Sequence, residues 1–391
     1  MLITADAVLT GSKLLRPGWI ESAAGVVAAI GSGTSPRLAD RAFGAATVVP
    51  GFVDTHVHGG GGGSFSSGGT AAALSLHLRH GTTSLVASLV SAGPDDLLRQ
   101  VAELSNDVRR GAIAGIHLEG PWLAAGRCGA HDPSQLRDPD PDELDRLLAE
   151  GGGAIRMITL APERAGALEA VTRIIDAGIV AAVGHTDATY EQTRAAIEAG
   201  ASVGTHLFNA MRPIHHRDPG PAVALLEDPR VTVELITDGV HVDPALYRLV
   251  SRSVGPDRVS LVTDAMAAAG MADGRYSLGA LEVDVVGGVA RVAGTDIIAS
   301  STATMDRQFR FAVAESRLAR DEALLAVVRQ ASINPARALG LPSAGLAAGA
   351  PADLVVLDGD LAVKGVMRQG SWVVEPEGET GARVGNTVRE G

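Results

Sequence analysis

Three things are scarce in this chain of 391 residues, and each scarcity closes a class of function. There is one cysteine, Cys128, so no intrachain disulfide can form and nothing points to an oxidising compartment. The cytoplasm is the expected location. Basic residues are outnumbered, with Lys+Arg 33 against Asp+Glu 45 and a formal charge of -12, which offers no general attraction to nucleic acid or anionic membrane. An anionic ligand would have to be held by local groups. No apolar run approaches membrane-spanning length, and the opening stretch MLITADAVLTGSKLLRPGWI lacks the basic and apolar regions of a secretory leader. Neither secretion nor anchoring is expected. Gly 48 and Pro 19, about 17% of the chain, stay below the level of low-complexity sequences, and 46% hydrophobic residues supply a large core. The length suits one large domain with a smaller one.

From Val48 onward, β-branched and Leu-rich runs alternate with segments of helical period, the pattern of repeated βα units on a parallel sheet. Eight runs read as strands: 48–58, 84–90, 113–120, 156–162, 180–186, 203–209, 233–239 and 260–265. Between them, 94–110, 167–178 and 189–200 read as helices, the last two ending in Gly. Eight such units close naturally into an α/β fold of the (β/α)8 TIM-type barrel class, whose chemistry gathers at the C-terminal ends of the strands. The flanks alternate on a shorter period with Gly and Asp turns, and neither is long enough for a stable sheet alone. The expected organisation is therefore a barrel over 48–347 beside one small β domain built from the N- and C-terminal segments, 1–47 plus 348–391.

The strand ends carry the chemistry. The first finishes Asp54-Thr55-His56-Val57-His58, and alternate residues of a strand face one side, so both imidazoles can reach one point. An H-x-H pair alone is as readily a surface or core feature as a metal pair. Here, however, Glu119 ends the third strand, His185 the fifth, His206 the sixth and Asp264 the eighth. Four histidines and two carboxylates suffice for one or two ions of the Zn²⁺ or Fe²⁺ type. His117 shares the third strand but is left outside the ligand set, and His77 and His80 fall on a helical segment where a packed or solvated role is expected. The run Gly59–Gly63 lacks the GK[ST] ending of a nucleotide-binding loop and reads as a flexible loop or a close backbone approach to a ligand.

These residues resemble the amidohydrolase superfamily and, within it, the N-acetylglucosamine-6-phosphate deacetylases. The resemblance runs through PGFVDTHVHG, LEGPW, GRCGAH, GHTDA, THLFNAM, HRDPG, TDAM, NPARALG and ADLVVLD. It implies a (β/α)8 barrel with a small β-sandwich domain made from both termini, in a homodimeric hydrolase that takes a small phosphorylated amino sugar, N-acetylglucosamine 6-phosphate, to glucosamine 6-phosphate and acetate. Glu119, His185 and His206 match the family's metal ligands, and His56 and His58 match the extra pair of its two-metal members. Asp264 matches the catalytic aspartate, which also ligates metal. His131 matches a group that binds the acetyl carbonyl; Asn209, Ala210 and Arg217 match phosphate contacts, and His241 a sugar contact. Amide hydrolysis needs an activated water, a polarised carbonyl and a proton for the departing amine. Asp264 is expected to accept the water's proton and return it to the nitrogen, with one or two divalent ions per subunit. Two other readings remain open: an amidohydrolase acting on another N-acetyl sugar or a cyclic amide, and a non-catalytic relative that serves as a binding protein.

Overall fold

The computed structural model describes residues 1–342 and 344–376. Residues 377–391, which the sequence reading assigns to the small domain, lie outside the described residues. An eight-stranded parallel sheet runs in simple sequential order. Its strands are β1 (Phe52–Val57), β2 (Thr82–Leu89), β3 (Gly115–Glu119), β4 (Ile155–Leu160), β5 (Val180–Val183), β6 (Val203–Gly204), β7 (Thr232–Leu235) and β8 (Val259–Leu261). The sheet closes where Val57 bridges Ala265 and the Asp264 N–H donates to the His56 carbonyl at 2.8 Å. A buried carboxylate locks that seam. Asp54 accepts from the Thr263 hydroxyl at 2.5 Å and the Thr263 N–H at 3.2 Å, and burial pushes its pKa up to about 7.

Eight helices alternate with these strands: α1 (Thr70–Arg79), α2 (Pro94–Arg109), α3 (Pro141–Gly151), α4 (Ala167–Asp176), α5 (Tyr190–Glu198), α6 (Gly220–Glu227), α7 (Pro244–Val254) and α8 (Met305–Glu315). Each follows its strand, which makes the architecture a (β/α)8 barrel. Local chemistry explains their starts. Pro94 opens α2 ahead of Asp95 and Asp96, acids suited to a helix N-terminus, and Thr189 with Gln192 forms a reciprocal capping box on α5. Strands such as β3 are buried throughout because they face the barrel interior on one side and helices on the other.

Three departures from the sequence reading matter. The first expected strand divides at Gly51: Thr47–Pro50 leaves the barrel and pairs with Leu354–Leu357. The separation is steric as well as topological, because a Cβ on Gly51 would lie 2.1 Å from the Thr83 hydroxyl. The fifth, sixth and eighth strands are shorter than expected, because the backbone turns into the left-handed region at His185 (φ 46), His206 (φ 25), Phe208 (φ 78) and Asp264 (φ 48). Finally, a three-stranded antiparallel sheet, Gly274–Leu278, Leu281–Val286 and Val289–Val292, is inserted between β8 and α8. It packs Leu278, Val283 and Val285 against Val90 and Met266 and roofs one side of the barrel mouth.

The terminal segments build two further sheets. One has the order Val26–Ser32, Gly18–Ala23, Leu2–Ala5, Arg41–Ala42; the other has the order Ser371–Val374, Val363–Arg368, Leu354–Leu357, Thr47–Pro50, Ala7–Leu9, Leu14–Leu15. They share a core of Ile3, Val8, Ile20, Val27, Val48, Leu354, Val356 and Met367. Neither terminus supplies that core alone, so the two ends of the chain must meet to bury it.

Candidate active site

Seven side chains converge at the C-terminal mouth of the barrel. Glu119, the last residue of β3, lies at the centre with 3% exposure. Its Oε1 is 2.9 Å from His206 Nε2, 3.1 Å from His185 Nε2 and 3.4 Å from His56 Nε2. Its Oε2 is 3.2 Å from His58 Nε2 and 3.3 Å from His131 Nε2. Asp264 Oδ1 completes the cluster, 3.1 Å from His58 Nε2 and 3.5 Å from His56 Nε2. Burial alone would raise both carboxyls. The surrounding imidazoles, His56 foremost, outweigh it and hold Glu119 and Asp264 well below the usual carboxylate range.

The donor atoms fit a metal better than they fit one another. His185 and His206 bring their Nε2 atoms to 3.1 Å, and His56 and His58 theirs to 3.2 Å. Such pairs form a hydrogen bond only if one nitrogen carries a proton, whereas ligand atoms about 2.1 Å from a shared ion stand roughly 3.0–3.4 Å apart. Among the described residues, the buried Nδ1 atoms of His58 and His206 have no hydrogen-bond partner, so none of these neighbours orients those rings in place of an ion. Three donor atoms from His56, His58 and Glu119 lie within 4.8 Å of one another, as do three from Glu119, His131 and His185. His131 does not belong among the ligands, for a reason of protonation. Its Nδ1 receives the Ser91 N–H at 3.2 Å and faces the Ser91 hydroxyl at 2.9 Å, so its proton sits on Nε2, directed into the site. Burial and the nearby His185 push its pKa down to about 4, which leaves a neutral donor at pH 7.

Three of these residues sit on unusual backbone. His185, His206 and Asp264 all adopt positive φ just beyond their strands, a conformation that costs roughly 1–3 kcal/mol each for residues with a Cβ. The turns aim the side chains back over the barrel axis. His185 is further tied by its Nδ1–H to the Arg127 carbonyl at 2.9 Å. Beneath the cluster, His117 bonds Ser88 at 2.9 Å and Thr159 at 2.8 Å, and burial with the charge of His56 holds its pKa far down. Its ring is packed beneath the cluster. His77 is buried too, and its Nε2 donates to the Gly59 carbonyl at 2.9 Å. The glycine run there folds closely on its own backbone: a Cβ on Gly59 would meet the Gly63 carbonyl oxygen at 2.3 Å.

The cluster opens into a cavity of about 470 Å³. The loop carrying Cys128 and His131 forms one wall, Asn209, Ala210 and His241 a second, and Leu278, Ile297 and Ile298 of the inserted segment a third. Asn209 donates its side-chain amide to the His206 carbonyl at 3.1 Å and so braces the turn that carries a ligand. Ala210 adopts φ 51, and among the described residues its N–H has no hydrogen-bond partner. His241 donates from Nδ1 to Asp238 at 2.7 Å; burial would lower its pKa, but the Asp238 carboxylate reverses this and raises it. Arg217 is placed differently from the rest. It is exposed on the 212–218 excursion, with Nη1 2.6 Å from His216 Nε2, and is absent from the cavity wall.

Three residues near the cluster escape the sequence reading. Glu234 on β7 is 2% exposed and accepts from Thr55 at 3.1 Å and from His56 Nδ1 at 3.3 Å. Its signal was a lone carboxylate within the apolar run VELI. Ser91 orients His131, and Ser300, at φ 56, places its hydroxyl 3.4 Å from Asp264 Oδ1. Serines in loops carry no pattern that distinguishes them.

Known proteins share this arrangement. The chain matches the Amidohydrolase family over residues 47–373. It is 36% identical over 378 residues to an N-acetylgalactosamine-6-phosphate deacetylase of Escherichia coli O157:H7, covering 93% of this chain and 98% of that protein. It is 36% identical over 388 residues to the N-acetylglucosamine-6-phosphate deacetylase of Homo sapiens, covering 94% and 93%. Among solved structures, the N-acetyl-D-glucosamine-6-phosphate deacetylase of Mycobacterium smegmatis superposes with a TM-score of 0.95 at 67% identity, over 96% of this chain and 100% of that one. A mutant of that enzyme was solved in complex with N-acetyl-D-glucosamine-6-phosphate. The N-acetylglucosamine-6-phosphate deacetylase of Thermotoga maritima superposes at 0.88 with 27% identity, over 96% and 100%.

Proposed function

The chain belongs to the amidohydrolase family, and from that premise we propose that it hydrolyses the acetamide of N-acetyl-D-glucosamine 6-phosphate to D-glucosamine 6-phosphate and acetate. The observation that carries this reading is the convergence of four imidazoles and two carboxylates at the barrel mouth, where Glu119, His185, His206 and Asp264 line a cavity whose wall offers an Ala210 N–H without a hydrogen-bond partner among the described residues. His56, His58, Glu119, His185, His206 and Asp264 hold one or two divalent ions, and their nitrogen and oxygen donors suit Zn²⁺ or Fe²⁺. A bound ion supplies Lewis acidity that brings a water's pKa toward neutrality.

The chain's own groups carry the remaining work. Asp264, unprotonated at neutral pH, takes the proton of the attacking water and passes it to the departing nitrogen. His131 donates from Nε2 to the acetyl oxygen as negative charge develops there, a contribution of about 3 kcal/mol for a single well-placed donor. The Ala210 N–H, Asn209 and Arg217 bind the phosphate, and His241 binds the sugar. Because Arg217 stands outside the cavity wall, its contact belongs to a phosphate at the rim. The same reading makes the enzyme a cytoplasmic homodimer with no nucleic-acid or membrane partner. Among the described residues, no helix is long and apolar enough to cross a membrane.

The test is acetate release from N-acetylglucosamine 6-phosphate, its galacto epimer and the unphosphorylated sugar, with metal content determined on the same sample. Preference for a phosphorylated sugar, lost on chelation and restored by a divalent ion, is expected. Equal rates without the phosphate would overturn the substrate, and no turnover in a fully metallated sample would overturn the chemistry.

A further inference from the structure

The imidazoles of the cluster differ in what stands behind them. His185 gives its Nδ1–H to a backbone carbonyl, while among the described residues the Nδ1 atoms of His58 and His206 have no partner. Of the four proposed histidine ligands, and among the described residues, His56 alone has a carboxylate behind the ring, Glu234 across the barrel on β7, with Oε2 3.3 Å from His56 Nδ1. The other oxygen of Glu234 accepts the Thr55 hydroxyl at 3.1 Å, so each oxygen has a donor and the carboxylate is held at both ends.

A buried carboxylate is expensive unless a cation compensates it. Glu234 is 2% exposed, and among the described residues no Lys or Arg lies within ion-pair distance of it. Its neighbouring ring places the opposite nitrogen, His56 Nε2, in the metal cluster, 3.2 Å from His58 Nε2. The carboxylate holds the His56 proton on Nδ1, which leaves Nε2 free to donate its lone pair and makes it a stronger donor. Glu234 thereby offsets, through the ring, the charge of an ion bound on the far side.

We propose that Glu234 is a positioning residue which, acting through His56, determines how tightly the His56/His58 side of the site retains its ion. The inference rests on the two-ion form of the reading above. Outer carboxylates of this kind change metal affinity by about 10–100-fold when removed.

The experiment is metal binding, read as ions per chain against free Zn²⁺ fixed by a competing chelator, on wild type, Glu234→Gln, His56→Asn and the double variant. Glu234→Gln keeps the shape and the hydrogen bond but removes the charge. It should weaken the second ion roughly 10–100-fold and leave the first unchanged. His56→Asn should lose the second ion, and adding Glu234→Gln to it should change nothing further. Wild-type retention in Glu234→Gln, equal weakening of both ions, or additional loss in the double variant would each overturn the inference. A wild type that never takes a second ion would instead remove the two-ion reading on which it rests. If Glu234→Gln does not fold, the zinc-loaded wild type decides with ¹⁵N-labelled histidine. The His56 signal, assigned by its absence in His56→Asn, should show the proton on Nδ1, and a proton on Nε2 would refute the proposal.

Discussion

Replacing Asp264 with asparagine removes one charge and one proton acceptor while changing little else. The side chain is nearly isosteric and the residue is 7% exposed. Its backbone is held by the bond from its N–H to the His56 carbonyl and by the Ser301 N–H donating to its own carbonyl, each 2.8 Å. Its φ of 48 is one that asparagine tolerates better than most residues, whereas alanine would add strain as well as remove the group. Asp264→Asn therefore tests chemistry rather than folding. A positioned general acid or base contributes about 10²–10⁴-fold, which at 1.36 kcal/mol per tenfold is about 3–5 kcal/mol of barrier. The expected kcat falls by that factor, with substrate affinity by titration calorimetry kept within about tenfold. Asp264 Oδ1 lies 3.1 Å from His58 Nε2, so metal content must be brought to the wild-type value before rates are compared. A metal-loaded variant with kcat within tenfold of wild type would refute Asp264 as the proton carrier.

Three further perturbations separate substrate binding, stability and site geometry. Arg217→Ala should raise KM for the phosphorylated sugar by about tenfold to a hundredfold, the worth of one charge-assisted hydrogen bond, and leave the unphosphorylated sugar untouched; unchanged KM removes Arg217 from the phosphate site. Asp306 accepts from His80 at 3.1 Å, Thr304 at 2.5 Å and Arg310 at 2.9 Å; burial would raise its pKa, but these partners bring it down to about 2 from an ordinary 3.8. A depressed folded-state pKa stabilises above the unfolded value, so the contribution, about 2 kcal/mol, is complete above roughly pH 5 and is lost as pH falls through 4 toward 2. Asp306→Asn should therefore be less stable than wild type at pH 7, with the gap narrowing across that window; a gap independent of pH would contradict the pairing. Gly184 precedes His185, and a Cβ there would lie 2.8 Å from both Thr159 Cγ2 and Thr205 Cβ, which are stiff and buried. Gly184→Ala should cost about 1–3 kcal/mol by overpacking and also weaken metal binding by displacing His185; denaturation and metal titration matching wild type would show that the threonine layer yields.

What the sequence made legible follows from what a strand or a helix demands of consecutive residues. Eight apolar runs and their helices can be counted because burial on two faces requires continuous Val, Ile and Leu, and helix starts such as Pro94 and Thr189 carry their own chemistry. His56, Glu119, His185, His206 and Asp264 could be grouped without a structure because one fold places every strand end at a common mouth. The inserted sheet over 274–292 was missed although its hairpins carry Gly279 and the Gly287–Gly288 pair, because the barrel count was already complete at the eighth strand. The turns at His185, His206 and Asp264 are a different case. None of these is glycine, so nothing in the sequence marks the left-handed backbone; the surroundings impose it, and it decides where the side chains point. Glu234 and Ser91 lie further still from view. Each orients a histidine more than 35 positions away in the chain, Glu234 facing His56 and Ser91 facing His131, and only the folded barrel brings either pair together. Local sequence thus named the groups that converge at the barrel mouth, while the groups that orient them depend on register across the barrel, which no window of neighbouring residues contains.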